Sequence, residues 1–513
     1  MTSSTDQAPM SPGLRLAITI VVMSASLMQV LDTTIANVAL PHMQASLSAT
    51  QDSVAWVLTS YIVASAIATP VTGWLEGRFG RRTLFLVAIS GFTLSSMACG
   101  LAPSLTAMVL ARVSQGIFGA FISPLSQAVM LDIYPPTQRA LAMTIWGMGV
   151  MVGPILGPVL GGYITDNLTW RWVFFINVPI GAIASFGAWA LLRSGPRSAR
   201  PFDVTGFLLL ALALAAFQLV LDRGTQLDWL DSVEILIEIG VAIGATWMFI
   251  VHSATAEHPL IPLALFRDRN LMLANVFLGV SAGIMMAGAA LIAPMLQRLL
   301  GYGVVDAGMM MMPRGVAMMI SMMLAGRLVA KIDPRILIFG GLLISAASQF
   351  MMTGFNLEMG SWPVVLSGFI QGMGFGLVIL PLNLLAFATL APNQVTEGAA
   401  LYSLFRNVGG SIAISITTAL IARNLQVSHS DLSAHVTAVT LPFLESGMIE
   451  EIGLRAGQIV AMIDAELNRQ ALMIAYLDDF WLMAWAALCV APLALFMSAA
   501  RPARKGAPPP ITE

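Results

Sequence analysis

Charge is what this chain has least of. Only 10% of its 513 residues are Asp, Glu, Lys or Arg, while 57% are hydrophobic. A soluble chain carries about 25% charged residues, and the mean hydropathy here is +0.83. This balance excludes secreted disulfide scaffolds, nucleic-acid binders and ordinary cytosolic enzymes, and a net charge of −2 offers nothing to a polyanion. Cysteine is scarce too. Cys99 and Cys489 lie in distant apolar runs, so neither a disulfide framework nor a metal cluster is implied. The five histidines have no metal-ligand spacing, and no nucleophile, base and oxyanion set appears, so no enzyme and no metal site is expected. Lysine is rarest of all: 23 of the 25 basic residues are Arg, and neither Lys331 nor Lys505 follows a glycine. A P-loop ends in Gly-Lys-Ser/Thr, so this chain has none. Any uphill work draws on an ion gradient or a partner chain.

What is present is apolar sequence in long runs. A membrane-spanning helix needs about 20 largely apolar residues. Fourteen such runs are read, at about 15–38, 53–74, 83–102, 105–130, 139–163, 171–193, 204–222, 233–253, 271–296, 306–329, 335–354, 363–386, 399–422 and 477–499. The first is read as a retained helix rather than a signal peptide, because no small-x-small cleavage site follows it. With the N-terminus inside, sixteen Lys or Arg fall on the cytoplasmic side and six outside. That positive-inside bias needs an even helix count, so both termini are expected in the cytoplasm.

The two ends of the chain repeat each other. Gly73-Trp-Leu-Glu-Gly-Arg-Phe-Gly-Arg-Arg follows the second run, and Gly326-Arg-Leu-Val-Ala-Lys-Ile-Asp-Pro-Arg follows the tenth, 253 residues later. Gln115-Gly116 recurs as Gln371-Gly372 at an offset of 256. The expected organisation is a six-helix half at 1–200, two inserted helices at 201–262, and a second half at 263–513 with a long outer segment at 423–476. Duplicated halves around a midplane cavity describe secondary transporters.

Three motifs then resemble a named family. Leu31-Asp32-Thr33-Thr34-Ile35-Ala36-Asn37-Val38-Ala39-Leu40-Pro41 is similar to its first-helix signature, and Arg112-Val-Ser-Gln115-Gly116 to its fourth-helix motif. Gly149-x-x-x-Gly153-Pro154-x-x-Gly157-Pro158-x-x-Gly161-Gly162 is similar to its fifth-helix antiporter motif. The chain resembles the fourteen-helix drug/proton antiporters of the major facilitator superfamily, of the Emr multidrug-exporter type, from about residue 15 to 422. The resemblance implies an all-α fold of six, two inserted and six helices in the inner membrane. It implies no cofactor beyond the proton gradient, and a periplasmic adaptor with an outer-membrane duct as partners. In the loop after the second helix this family carries an acid two residues past the leucine, where this chain has Gly77. Glu76 is displaced by one, so the gating loop of Glu76, Arg78, Gly80 and Arg81 is expected to hold the neighbouring half weakly or through Glu76.

Charges inside the runs need a partner or a task, because each costs about 2.5–3.5 kcal/mol or more at the bilayer centre. The deep ones are Asp32, Arg112, Arg314 and Arg406. Asp32 lies nine residues before Pro41, taken as the outer end of its helix, and Arg112 nine after Pro103, so both sit about 13 Å deep. Desolvation favours a neutral acid and a nearby guanidinium favours the anion, so such a carboxylate can load and release a proton. Asp32 and Arg112 are the expected proton-coupling pair; the alternative is a static ion pair joining two helices. Arg406 with Asn407 is expected to bond carbonyls or meet an anionic substrate, and Arg314, after Pro313, to satisfy a freed carbonyl.

Gln29, Trp56, Tyr61, Gln115, Gln127, Gln371 and Asn383 are polar or aromatic groups at membrane depth. Tyr61, Gln115 and Gln371 are expected to line a substrate cavity. Gly153, Pro154, Gly157, Pro158 and Gly161 suggest a hinge packed between the halves. Methionines crowd the tenth run, suiting either an adaptable pocket or a lipid-facing surface. Residues 444–477 alternate apolar and charged groups as a surface amphipathic helix would.

The function expected is proton-driven export of amphipathic or aromatic small molecules. Two rivals stand beside it: export of one siderophore- or fatty-acid-like metabolite, and a membrane sensor that transports nothing.

Overall fold

The structure, a computed structural model, describes residues 11–135, 138–192, 201–390, 394–436 and 456–497. Among these residues there is no strand, and fourteen helices are long and apolar enough to cross a membrane. They are α1 (Pro12–Ser46), α2 (Trp56–Phe79), α3 (Arg81–Leu101), α4 (Leu105–Ile133), α5 (Leu141–Thr165), α6 (Trp172–Leu191) and α7 (Val204–Arg223). The series continues with α8 (Val233–Thr255), α9 (Arg269–Leu299), α10 (Val305–Leu328), α11 (Pro334–Met352), α12 (Ser361–Phe387), α13 (Val395–Ala434) and α14 (Val460–Phe496).

Polar residues mark the helix starts. Ser104 accepts Ala107 N ahead of α4, and Asp268 accepts Leu271 N at the start of α9. Each satisfies an amide that the first helical turn leaves free. Inside α2, Pro70 sits in a 3-10 turn at Thr69–Val71. Thr69 Oγ1 and Thr72 Oγ1 donate to the carbonyls of Ser65 and Thr69, both at 2.6 Å, each adding a second donor to a carbonyl beside the turn. Gly80 closes α2 with φ 84°, a left-handed value that glycine adopts without strain.

Packing repeats with the sequence. In the first six helices α1 packs on α4, α5 and α6, α4 on α2 and α3, and α3 on α6. The same scheme recurs as α9 on α12, α13 and α14, α12 on α10 and α11, and α11 on α14. The two sets meet where α5 packs on α10 and α13 packs on α4 and α2. Helices α7 and α8 pack on each other, and α7 also lies against α2 and α13.

Side chains fasten this inserted pair at both ends. Asp203 accepts Gly206 N at 2.8 Å and Leu260 N at 3.0 Å, and lies 2.7 Å from His252 Nε2. Burial pushes its carboxyl up, but those donors outweigh burial and hold it below the usual carboxylate range. Phe202 stacks on Trp74 of α2 with ring centroids 4.5 Å apart. At the far end Arg223 pairs with Glu234 and, at 3.5 Å, with Glu238.

Three expectations are corrected. First, α1 runs through Pro41 to Ser46: a proline in a membrane helix bends it without ending it when neighbouring helices support it. Second, the outer segment is mostly helix extension. The helix ending at Ala434 has 40 residues, about 60 Å against a hydrocarbon core of about 30 Å. The helix that includes α14 begins at Ala456. His429 Nε2 meets Asp464 Oδ1 at 2.9 Å and Asn424 donates to Asp478 at 3.0 Å, zipping the two together. Residues 456–477 therefore continue a spanning helix instead of lying on the surface; 444–455 fall outside the described residues.

The third correction concerns the glycine stripe of α5. A Cβ at Gly153 would stand 2.8 Å from Val30 Cγ1, one at Gly161 3.1 Å from Val38 Cβ, and one at Gly157 would collide with Thr34 Oγ1. All three neighbours are on α1, so the stripe seals α1 to α5 within one half. It does not form a hinge between halves. Pro154 is exposed on another face, and the Pro158 side chain lies outside the described residues. The seam with α10 uses other positions: Ile155 meets Gly315, Gly147 meets Met322, and Thr144 meets Gly326. The methionines of α10 divide accordingly. Met318 and Met322 are buried, while Met309 and Met323 are about half exposed.

Candidate functional site

The first half closes around one acid. Asp32 and Arg112 are both fully buried, and Arg112 Nη1 donates to Asp32 Oδ2 at 2.7 Å. The opposite oxygen, Oδ1, accepts from Gln115 Nε2 at 2.8 Å and Asn177 Nδ2 at 2.7 Å. Asp32 thus takes three donors from α4 and α6. Arg112 Nη1 also donates to Gln115 Oε1 at 2.7 Å, and Nε to the Val57 carbonyl at 2.9 Å. The Tyr61 ring lies 4.3 Å below the guanidinium and Phe174 at 5.8 Å on another side, geometry in which aromatic faces stabilise a cation. Asn177 also donates to Ser96 Oγ at 2.9 Å, and Ser96 donates to the Phe174 carbonyl at 2.9 Å. Cys99 Sγ donates to Gln115 Oε1 at 3.5 Å.

Five helices, α1, α2, α3, α4 and α6, therefore converge on a single carboxylate. Charges in low dielectric persist only when both ions are paired and their remaining groups bonded, and here they are. Two expected residues have moved. Gln115 and Tyr61 belong to this acid cluster, with both ends of Gln115 engaged inside it. Asn177, Ser96 and Cys99 were not singled out in the sequence. The signal for Asn177 was there, an amide inside the apolar stretch Phe174-Phe175-Ile176-Asn177-Val178, but depth alone does not say which carboxylate an amide meets.

The other expected residues lie elsewhere. Gln371 on α12 is fully buried, and neither amide atom has a hydrogen-bond partner among the described residues. Arg314 on α10 donates to the Met285 carbonyl of α9 at 3.0 Å, not to the carbonyl that Pro313 frees one turn back in its own helix. Arg406 on α13 donates within its own helix, to Ser403 Oγ at 3.1 Å, and has no other hydrogen-bond partner among the described residues. Asn407 beside it is half-buried. In the gating loop Glu76 accepts Arg81 Nε at 2.6 Å, and Arg81 Nη1 meets Asp132 of α4 at 3.1 Å. Glu76 therefore clamps its own loop. The second half approaches through Glu397 of α13, whose Cγ would lie 2.5 Å from a Cβ at Gly73. Arg78 is exposed.

Comparison with known proteins agrees with this architecture. The Major Facilitator Superfamily matches residues 22–414. The multidrug export protein EmrB of Haemophilus influenzae is 34% identical over 481 residues, covering 93% of this chain and 94% of that protein. The fatty acid resistance protein FarB of Neisseria gonorrhoeae is 34% identical over 460 residues, covering 89% and 90%. Among solved structures, the proton:xylose symporter XylE superposes with a TM-score of 0.63 at 15% identity, covering 95% of this chain and 97% of that one. With fourteen apolar helices, a duplicated packing scheme and these matches, this polytopic membrane protein belongs to the major facilitator superfamily.

Proposed function

We propose that this chain is a proton-driven exporter of amphipathic and aromatic small molecules, working by alternating access in the inner membrane with both termini in the cytoplasm. The relatives named as multidrug export proteins support export as the task. The arginine asymmetry of the loops supports the orientation. The moving units are the two six-helix halves at 1–200 and 263–513, with 201–262 riding between them; the repeated packing supports that division.

One observation carries the energy source: the Asp32 cluster has a bonded arrangement ready for each protonation state. Ionised, Asp32 neutralises Arg112 and takes three donors. Protonated, it releases the guanidinium, which still has Gln115 Oε1 and the Val57 carbonyl as acceptors. Neither state leaves the cation bare, which a reversible proton site in low dielectric requires. Proton entry from outside weakens the ties of α1 to α4 and α6, favouring outward release of substrate; proton loss inside restores them. The proton gradient takes the place of a cofactor. The helices that project beyond the membrane, α13 and α14, are where a periplasmic adaptor leading to an outer-membrane duct would dock.

The FarB relative and the arginines of the second half favour one alternative, a dedicated exporter of a fatty-acid-like anion. Proteoliposomes decide the main reading. Wild type should move protons when a drug is added and Asp32→Asn should not. Equal movement in both would remove Asp32 from the coupling, and none in either would leave a sensor on the same scaffold.

A further inference from the structure

The second half repeats part of the polar cluster of the first, without its carboxylate. The offset of 256 that relates Gln115 to Gln371 also takes Asp32 to Gly288 on α9, and the offset of 253 that relates Gly73 to Gly326 takes Tyr61 to Arg314. The backbone agrees. Gly116 of α4 crosses α2 at the Tyr61 carbonyl, and Gly372 of α12 crosses α10 at the Arg314 carbonyl. A Cβ at Gly288 would stand 3.7 Å from Arg314 Nη1 and 3.9 Å from Gln371 Nε2. A guanidinium and a glutamine amide are two of the three donors that hold Asp32 in the first half. Arg112 corresponds to Gly368, and the room left there goes to the stem of Arg314, whose Cβ would be 3.6 Å from a Cβ at Gly368. The guanidinium thus returns to the cluster from α10. The carboxylate does not return.

Among the described residues, nothing neutralises this site. Arg314 has the Met285 carbonyl and the Phe375 ring at 5.9 Å, with no acid at ion-pair distance. Gln371 is buried with its whole amide unused. Arg406, nearer the seam between the halves, is a second cation with only a hydroxyl partner. The Gln371 amide, buried without a partner, is unfavourable until one arrives, the half-buried Arg314 guanidinium keeps N–H groups to spare, and a guanidinium fits a carboxylate through paired N–H groups.

We propose that Arg314, Gln371 and the gap at Gly288 form a socket for the carboxylate head of the transported molecule, so that the preferred substrates are amphiphilic organic anions. This rests on the exporter reading and names its substrate class. The Asp32 cluster cannot serve the same role, because its guanidinium is already neutralised within the chain.

The test is calorimetric binding to the full chain in lipid nanodiscs, with three probes sharing one ring system: 2-naphthoate, 2-naphthamide and 2-naphthylmethylammonium. Naphthoate should bind at least tenfold more tightly than the other two. That preference should vanish in Arg314→Gln, and in Gly288→Asp, where the new carboxylate fills the socket. Gly288→Ala keeps the test open should Gly288→Asp fail to fold, because its methyl makes only ordinary contacts while narrowing the gap, and it should weaken naphthoate severalfold. Equal affinities for the three probes, or a naphthoate preference unchanged in Gly288→Ala and Arg314→Gln, would overturn the socket. Binding needs no gradient, so the two readings fail separately. A chain that prefers naphthoate but moves no protons loses the exporter reading alone, and one that moves protons without the preference loses the socket alone.

Discussion

Separating Asp32 from Arg112 should expose how tightly the two act as one unit. Removing one partner of a buried ion pair costs about 3–5 kcal/mol, because the other is left charged in low dielectric. In Asp32→Ala the guanidinium keeps Gln115 Oε1 and the Val57 carbonyl, so the loss should fall near the low end, about 3 kcal/mol. In Arg112→Met the carboxylate keeps Gln115 and Asn177 as donors, and a similar loss is expected. The double variant leaves no unpaired charge, so its cost should undercut the sum of the single costs by about 2 kcal/mol or more. Titration with SDS in mixed micelles can measure this. Cys99, buried beside Gln115, reports unfolding through its reactivity once the exposed Cys489 is replaced by serine. Proton movement should be absent in all three variants. Additivity to within about 0.5 kcal/mol would show that the pair is not a unit. Proton movement by the double variant would show that the acid is not the carrier.

Three further outcomes follow from the packing and the loops. Gly157→Val would drive a branched side chain into Thr34 of α1, and overpacking of this kind costs about 1–3 kcal/mol; thermal melting in detergent should fall, whereas at the exposed Gly240 the same change should leave it nearly unmoved. Asp203 sits below the usual carboxylate range, so its contribution is intact above its unfolded value near 3.9 and is lost only as pH falls towards its lower folded value. Hydrogen-exchange protection factors at Gly206 and Leu260 should therefore stay constant from about pH 7 to 5, and Asp203→Asn should lower them at every pH in that window. Glu76→Gln should change stability by under about 1 kcal/mol, since Arg81 is partly exposed and keeps Asp132; transport rates should drop clearly only when Asp132→Asn is added.

The membrane-spanning helices were legible in the sequence because hydrocarbon imposes a one-dimensional rule: about 20 apolar residues in a row, with most arginines kept to the flanks. The duplicated halves were legible for a related reason, since the crossing of α2 with α4 needs a glycine at Gly116 and that of α10 with α12 needs one at Gly372. Asp32 and Arg112 were legible as deep charges in need of a partner, but Pro41, from which the depth of Asp32 was counted, is not the end of α1, and helical rise gives height only from a known helix end. Height leaves azimuth undetermined, and azimuth is what only the tertiary structure decided. It placed Asn177 on Asp32, drew Gln115 and Tyr61 into the acid cluster, turned the α5 glycines onto α1 and away from the second half, and set Arg314 and Gln371 around the gap at Gly288. Which face of a helix meets which neighbour depends on side chains far away in the chain, and no local pattern of residues encodes that choice.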